Sequence, residues 1–201
     1  VLRVTEKPVL TALEPERTLF LYGGQPFSVP LAGAHQAGNA ACAVELCRLL
    51  GLPEETIRRG LEQTVWPGRL QRLSARPCVV LDCGHNPNGI AALRQAMDTL
   101  YPGRPRTVLM AMMQDKDYAA CVREIAAGAA HVVATTLPMP RALPANQLAA
   151  CAAEVCPDVT AALNLREAVQ LSLRKMEPEG LVLICGSVYL AGDILRMQEP
   201  T

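Results

Sequence analysis

Aromatic side chains make up 3% of the sequence, and its 19 basic and 19 acidic residues cancel at pH 7. The first scarcity removes the stacking platforms that bind single-stranded nucleic acid. The second removes the positive field that gathers nucleic acid or an anionic membrane surface. No apolar run reaches the roughly 20 residues needed to cross a bilayer. The longest nearly apolar stretch, Leu181 to Gly192, is broken by Ser187 and stops at Asp193. Neither nucleic acid nor a membrane is therefore expected as a partner. CxxC is absent as well. The eight cysteines include three C-x4-C pairs, Cys42/Cys47, Cys78/Cys83 and Cys151/Cys156, but with His85 alone beside them their spacing does not make a zinc set. They read as structural thiols in a reducing cytoplasm. Lysine is scarce too: Lys7, Lys116 and Lys175 are the whole set, and none follows a glycine, so no GxxxxGK[ST] phosphate loop is present. The first residue is Val1 rather than Met, which leaves room for an upstream or targeting segment.

What the sequence does contain is a chain able to bury a core, with half of its 201 residues apolar and 19% charged. Thr18 to Tyr22 and Pro26 to Val29 read as short strands around a Gly23-Gly24 turn. His35 to Leu50 has helical periodicity and stops at Gly51, and Pro53-Glu54-Glu55 opens a second helix to about Thr64. Trp66-Pro67-Gly68-Arg69 then breaks the pattern and predicts a boundary between a domain of residues 1–66 and another of residues 67–201.

Beyond it, apolar runs alternate with helical patterns: strands at Cys78 to Asp82, Thr107 to Met112, His131 to Ala134, near Val159, and Leu181 to Cys185. The helices fall at Pro87 to Leu100, Tyr118 to Ala127, Ala145 to Ala153, Arg166 to Lys175, and from Val188. Strands apolar on both faces, alternating with helices, predict a doubly wound α/β domain with a mostly parallel sheet.

Ligands of such a sheet bind outside the carboxyl ends of its strands, which directs attention to the turns there. In Asp82-Cys83-Gly84-His85-Asn86-Pro87, Asn86 can cap the next helix with Pro87 in its first turn. Free N–H groups would then face whatever Asp82 and His85 flank. Asp82 and His85 either attend an anionic ligand or satisfy turn amides. Ser187, after Cys185-Gly186, is a second candidate, as phosphate or carboxylate donor or as helix cap. Lys116, between Asp115 and a helix-cap position at Asp117, is an available cation or plain surface. Arg69 can clamp phosphate oxygens or stay solvated. His35 and Asn39 share a helix face, and an Asn amide can pair with the N6/N7 edge of adenine.

Taken together and in order, these motifs resemble the folylpolyglutamate synthase and dihydrofolate synthase family of ATP-dependent amide ligases, related to the Mur ligases. The matching segments are Leu31 to Ala40, Pro67-Gly68-Arg69, Leu81 to Pro87, Asp115-Lys116-Asp117 and Gly186-Ser187-Val188-Tyr189-Leu190. The resemblance runs from about residue 18 to the end. It implies a central ATP-binding domain ending in residues 1–66 and a Mur-type, Rossmann-like glutamate ligase domain over residues 67–201. By position it assigns Asn39, Arg69 and Asp82 to ATP, and His85 and Ser187 to the face where phosphate and incoming glutamate meet. Lys116 is left as a phosphate contact or a structural residue.

The implied reaction phosphorylates a folate or dihydropteroate carboxylate with ATP and lets the glutamate amino group displace phosphate. Cys83-Gly84 stands where relatives more usually have Gly-Ala. The missing phosphate loop implies that this is the carboxyl-terminal part of a longer ligase, inactive alone, with the magnesium ligands and pterin pocket upstream. A Mur-type cell-wall ligase and a non-catalytic binding module are the competing readings.

Overall fold

The structure, a computed structural model, describes residue 4 and residues 6–198. The chain forms two compact units, Val1–Gln71 and Arg72–Thr201.

In the first unit, strands β1 (Val9–Glu14), β2 (Arg17–Tyr22) and β3 (Gln25–Val29) make an antiparallel sheet in that order. Gly23 and Gly24, at φ 58° and 70°, form the two-residue turn between Tyr22 and Gln25 that suits the twist of a hairpin. β1 was not expected from the sequence: it is an edge strand that buries little, so its residues carry no clear alternation. Helices α1 (His35–Leu49) and α2 (Glu54–Glu62) follow in tandem, separated by Gly51 at φ 76°. Phe20 and Phe27 stack at 5.7 Å between ring centroids, and Val44 and Ala41 of α1 are fully buried in the same cluster.

The second sheet has six strands in the order β4-β5-β9-β6-β7-β8. They are β4 (Gln71–Ala75), β5 (Cys78–Leu81), β6 (Arg106–Met110), β7 (His131–Ala134), β8 (Val159–Ala161) and β9 (Leu181–Cys185). The pairs β5/β9, β9/β6, β6/β7 and β7/β8 are parallel. β4, which the sequence reading lacked, is polar and half-buried; only Arg76-Pro77 separates it from its neighbour β5, and two residues allow no parallel crossover.

Helices α3 (Pro87–Leu100), α4 (Tyr118–Ala126), α5 (Ala145–Ala152), α6 (Leu165–Arg174) and α7 (Val188–Arg196) alternate with the strands as expected. The crossovers from β5 to β6, β7 and β8 all advance one way along the sheet, whereas α6 carries the chain back to β9. Right-handed crossovers then place α3, α4 and α5 on one face and α6 on the other. The packing agrees: α3 meets α4, α4 meets α5, and α6 lies on β6 and β7. The sheet faces are lined by fully buried Leu81, Leu109, Val133 and Leu183.

Insertion of β9 between β5 and β6 decides where a ligand can sit. Leu81 pairs with Ile184 and Met110 with Cys185, so the three strands end side by side. The chain leaves β9 toward a different helix layer than it leaves β5 and β6. Crevices therefore open on both sides of its carboxyl end.

The amino edge is closed by a charged network. Lys175 Nζ donates to both oxygens of Asp158 at 2.7 and 2.8 Å, and His131 meets Asp158 at 2.6 Å through Nδ1 and Glu177 at 3.3 Å through Nε2. The Lys175 ammonium, and then His131, hold the Asp158 carboxyl below its ordinary pKa. Its contribution to stability is therefore complete above the unfolded-state carboxylate pKa and fades as pH falls through the lower folded-state value. With the Asp158 side chain 40% exposed, solvent screening limits the effect to about 1 kcal/mol. Asp158→Asn is expected to lower the urea midpoint at pH 6, and the gap from the unmodified chain to narrow by about pH 3.

Candidate functional site

Asp82 directly follows β5 and continues its ladder, its N–H donating to Ile184 O at 2.9 Å. The carboxylate is 7% exposed, and its Oδ1 accepts the Gly84 N–H at 2.6 Å. This bond folds the turn tightly, and a Cβ at Gly84 would lie 2.9 Å from Oδ1. One residue on, His85 Nδ1 lies 2.9 Å from Cys83 O. A carbonyl oxygen only accepts, so the bond assigns the proton to Nδ1 and leaves Nε2 as the lone-pair nitrogen of the neutral ring. Asn86 caps α3, its Oδ1 accepting the Gly89 N–H at 2.8 Å, with Pro87 in the first turn. Asp82 thus does satisfy a turn amide, and the His85 ring is oriented by the Cys83 carbonyl.

The turn after β9 is tied to this one by Gly186 N–H donating to Gly84 O at 2.9 Å. Gly186 has φ 105°, and a Cβ there would lie 2.6 Å from Ala111 O. Ser187 is 2% exposed and caps α7, its Oγ accepting the Tyr189 N–H at 3.1 Å. Capping is the role the structure shows for this hydroxyl. It holds the α7 N-terminus, with its outward N–H groups, beside the Asp82–His85 turn.

The loop after β6 adds Lys116, 3.7 Å from Asp115, followed by Asp117, which caps α4 through a 3.1 Å bond from Ala120 N–H. The same edge receives Arg141, which the sequence reading did not single out. It lies on the loop after β7, held to the β6 loop by Gln114 N–H to Arg141 O at 2.9 Å and Leu143 N–H to Met112 O at 2.8 Å. Its guanidinium donates to Tyr189 Oη at 2.9 Å, lies 5.6 Å from the centre of that ring, and stands 3.7 Å from Asp115. An arginine beside Pro140 in a loop has no periodicity to mark it. Tyr189 lay in a quoted motif, but their meeting across 48 residues is tertiary.

In the first unit a cleft of about 460 Å³ is bounded by Leu31, His35, Gln36, Asn39, Trp66 and Arg69, among others. Arg69 therefore belongs with Asn39 in one unit, although Pro67-Gly68 suggested a hinge between them. Gly68 at φ 75° and Leu70 at φ 44° turn the chain here, and Gly68 N–H donates to Gln71 Oε1 at 2.9 Å. The loop into α1 is pinned from β2: buried Thr18 donates to Leu31 O at 2.7 Å and to Gly33 O at 3.2 Å. Gly33 has φ 114°, a conformation side chains rarely adopt, and a Cβ there would sit 2.6 Å from His35 Cε1, so the imidazole would have to move.

In two thiols of the second unit the thiolate is disfavoured. Burial, and after it the charge of Asp82, push Cys185 far above the ordinary thiol range, and burial pushes Cys121 up to about 11. All eight cysteines are free. Among the described residues, no group of three or more His, Cys, Asp or Glu side chains could hold a metal ion.

Capped helix N-termini, an imidazole and two cations beside Asp115 gather at one edge of the parallel sheet, so the second unit is an α/β domain with its polar groups at the strands' carboxyl ends. Its lineage agrees with its chemistry: residues 68–188 match the model described as Mur ligase, glutamate ligase domain, and the chain belongs to that family.

It is 34% identical over 173 residues to the folylpolyglutamate synthase of Lacticaseibacillus casei, an alignment covering 83% of this chain and 39% of that protein. Mycobacterium tuberculosis folylpolyglutamate synthase complexed with ADP superposes with a TM-score of 0.83 at 26% identity, covering 98% of this chain and 49% of that one. The bifunctional folylpolyglutamate synthase/dihydrofolate synthase of Yersinia pestis, complexed with AMPPNP and Mn ion, gives 0.74 at 26% identity over 90% of this chain and 43% of that one. The chain thus spans less than half the length of these relatives.

Gly186→Ala is expected to destabilise the chain by roughly 2 kcal/mol or more, since it combines an unfavourable φ with a clash against fixed backbone. Thermal melts check this, and an unchanged Tm would show that the turn has space it is not seen to have. Thr18→Val, which keeps the shape but loses both bonds to the α1 approach, is expected to cost about 1–3 kcal/mol by urea titration.

Proposed function

We propose that the chain is the carboxyl-terminal part of an ATP-dependent amide ligase that joins glutamate to a folate or dihydropteroate carboxylate through an acyl phosphate. The observation that carries this reading is the convergence at one carboxyl edge of His85, Lys116, Arg141 and the Ser187-capped start of α7. On this reading residues 1–66 are the tail of a central ATP-binding domain and residues 67–201 the glutamate ligase domain, acting in the cytoplasm, with residues 67–71 grouped with the first compact unit.

Asn39 holds the nucleotide base and Arg69 its phosphates in the first unit; Asp82, in the second unit, is assigned to ATP by its place in the family's motif. Lys116 and Arg141 hold carboxylate oxygens of the incoming glutamate. The His85 Nε2 lone pair takes a proton from its ammonium group, freeing the amine to attack. The α7 N-terminus stabilises negative charge as the acyl carbon is attacked. ATP, when bound, supplies the phosphoryl group that activates the folate carboxylate. Magnesium is the metal proposed to accompany the nucleotide; it usually rests on phosphate oxygens and one or two carboxylates. The names of the relatives support the glutamate and folate assignments.

In an intact ligase containing this chain, Arg69→Ala and Asp82→Ala are each expected to lower kcat/KM for ATP about tenfold or more, as loss of a charge-assisted hydrogen bond implies. His85→Ala and Ser187→Ala are expected to suppress glutamate-dependent ADP release while ATP affinity stays near normal. Ser187→Ala also loses a helix cap worth about 1 kcal/mol, so its Tm is measured alongside. The chain by itself is expected to release no ADP above background when given ATP, Mg²⁺, glutamate and reduced folate. If His85→Ala and Ser187→Ala impair nucleotide binding as much as ligation, the assignment of this edge to glutamate is overturned.

A further inference from the structure

The sheet face beneath α6 and α7 is not completely filled. α6 lies on β6 and β7 while α7 meets β9, and between the two helices a cavity of about 210 Å³ remains in the second unit. Its walls include Val79 of β5, Leu109 of β6, Val182 and Ile184 of β9, Val169 of α6 and Ile194 of α7. Protein interiors pack as densely as organic crystals, and voids larger than a water molecule are few in any domain. Three of these wall residues are valines, the shortest of the branched apolar side chains, and space remains where a longer side chain would close it.

The chemistry of the walls selects what can enter. Among the described residues that line the cavity none is charged, and Ser74 and Gln198 are the polar ones. An ion would lose its hydration there without gaining a partner, and a water needs several polar partners to stay in such a space. An uncharged ring needs none. An apolar cavity of about 150 Å³ stays dry and takes up benzene, so one of about 210 Å³ admits a single ring with a short substituent. Leu173 and Met197 also line it and are 40% and 44% exposed, which leaves the cavity within reach of solvent in the folded chain.

We propose that this cavity is a binding site for an uncharged single-ring ligand with a short apolar substituent. It differs in chemistry from the polar carboxyl edge, and α7 connects the two. The helix starts at Ser187, beside the Asp82–His85 turn, and reaches the cavity with Ile194 and Met197. Occupancy is therefore expected to register in the amides of α7.

The test titrates the purified, isotope-labelled chain with toluene and, as a charged ring of similar size, with benzoate, following amide shifts by two-dimensional NMR. Toluene is expected to give saturable shifts at Val79, Val169, Val182 and along α7 to Met197, with a Kd of roughly 1 mM, the affinity that so few non-hydrogen atoms supply. It should also raise the Tm, because a ligand of the folded state alone stabilises that state. Benzoate should do neither. Val169→Phe, which fills the cavity from α6, should abolish the toluene shifts, with circular dichroism confirming that the variant folds. Val79→Phe fills it from the sheet and replaces Val169→Phe if that variant misfolds. Toluene shifts that persist in a folded, filled variant, that benzoate matches, or that gather around Trp66 in the first unit overturn the proposal. So does the absence of any saturable shift with toluene. If neither variant folds, the location of the shifts and the discrimination against benzoate decide the matter by themselves.

Discussion

A single backbone hydrogen bond, from Gly186 N–H to Gly84 O, joins the two turns on which the candidate site of the second unit depends. It forms only because β9 lies between β5 and β6 and because residue 186 has no side chain to meet Ala111 O. With that bond made, the Asp82–His85 turn and the start of α7 are neighbours. Their buried groups are then largely determined: Asp82 closes its own turn, His85 is oriented by Cys83 O, and Ser187 is spent on its cap. What remains at this edge is helix N–H groups, one imidazole and two cations that share the Asp115 carboxylate.

The first unit works on a similar plan with different parts. Its site is anchored by a side chain, since Thr18 of β2 holds the two carbonyls that lead into α1. Gly33 lets that approach pass close to His35, and Gly68 and Leu70 turn the chain so that Arg69 lines the cleft beside Asn39. In both units strained or glycine-dependent turns bring polar groups to the rim of a sheet whose interior is apolar. The placement of function at such turns follows from the topology, because strand interiors have no polar surface to offer.

Much of this was legible in the sequence. The strands β5, β6, β7 and β9 are short runs apolar on both faces, and the helices between them have clear periodicity and recognisable caps at Asn86, Asp117 and Ser187. Resemblance to the folate ligases extended the reading to function, and the family match bears out that lineage. β1 and β4 escaped because both sit at sheet edges, where half-exposed residues need no apolar pattern. Arg141 escaped because its significance is a contact with Tyr189, 48 positions away. Gln36 sat inside a quoted motif, yet nothing in its neighbours marks it as buried.

The sequence by itself determined the class of fold, the order of its elements apart from the edge strands β1 and β4, and the family, since these depend on local periodicity, caps and motifs in register with one another. Only the tertiary structure decided that Arg69 shares a cleft with Asn39, that Arg141 joins the carboxyl edge, and that Ser187 is occupied as a cap. Those outcomes depend on which strand is inserted beside which, and on which buried polar atom finds its partner first. Burial and hydrogen-bond satisfaction are properties of the packed molecule, and no spacing along the chain encodes them.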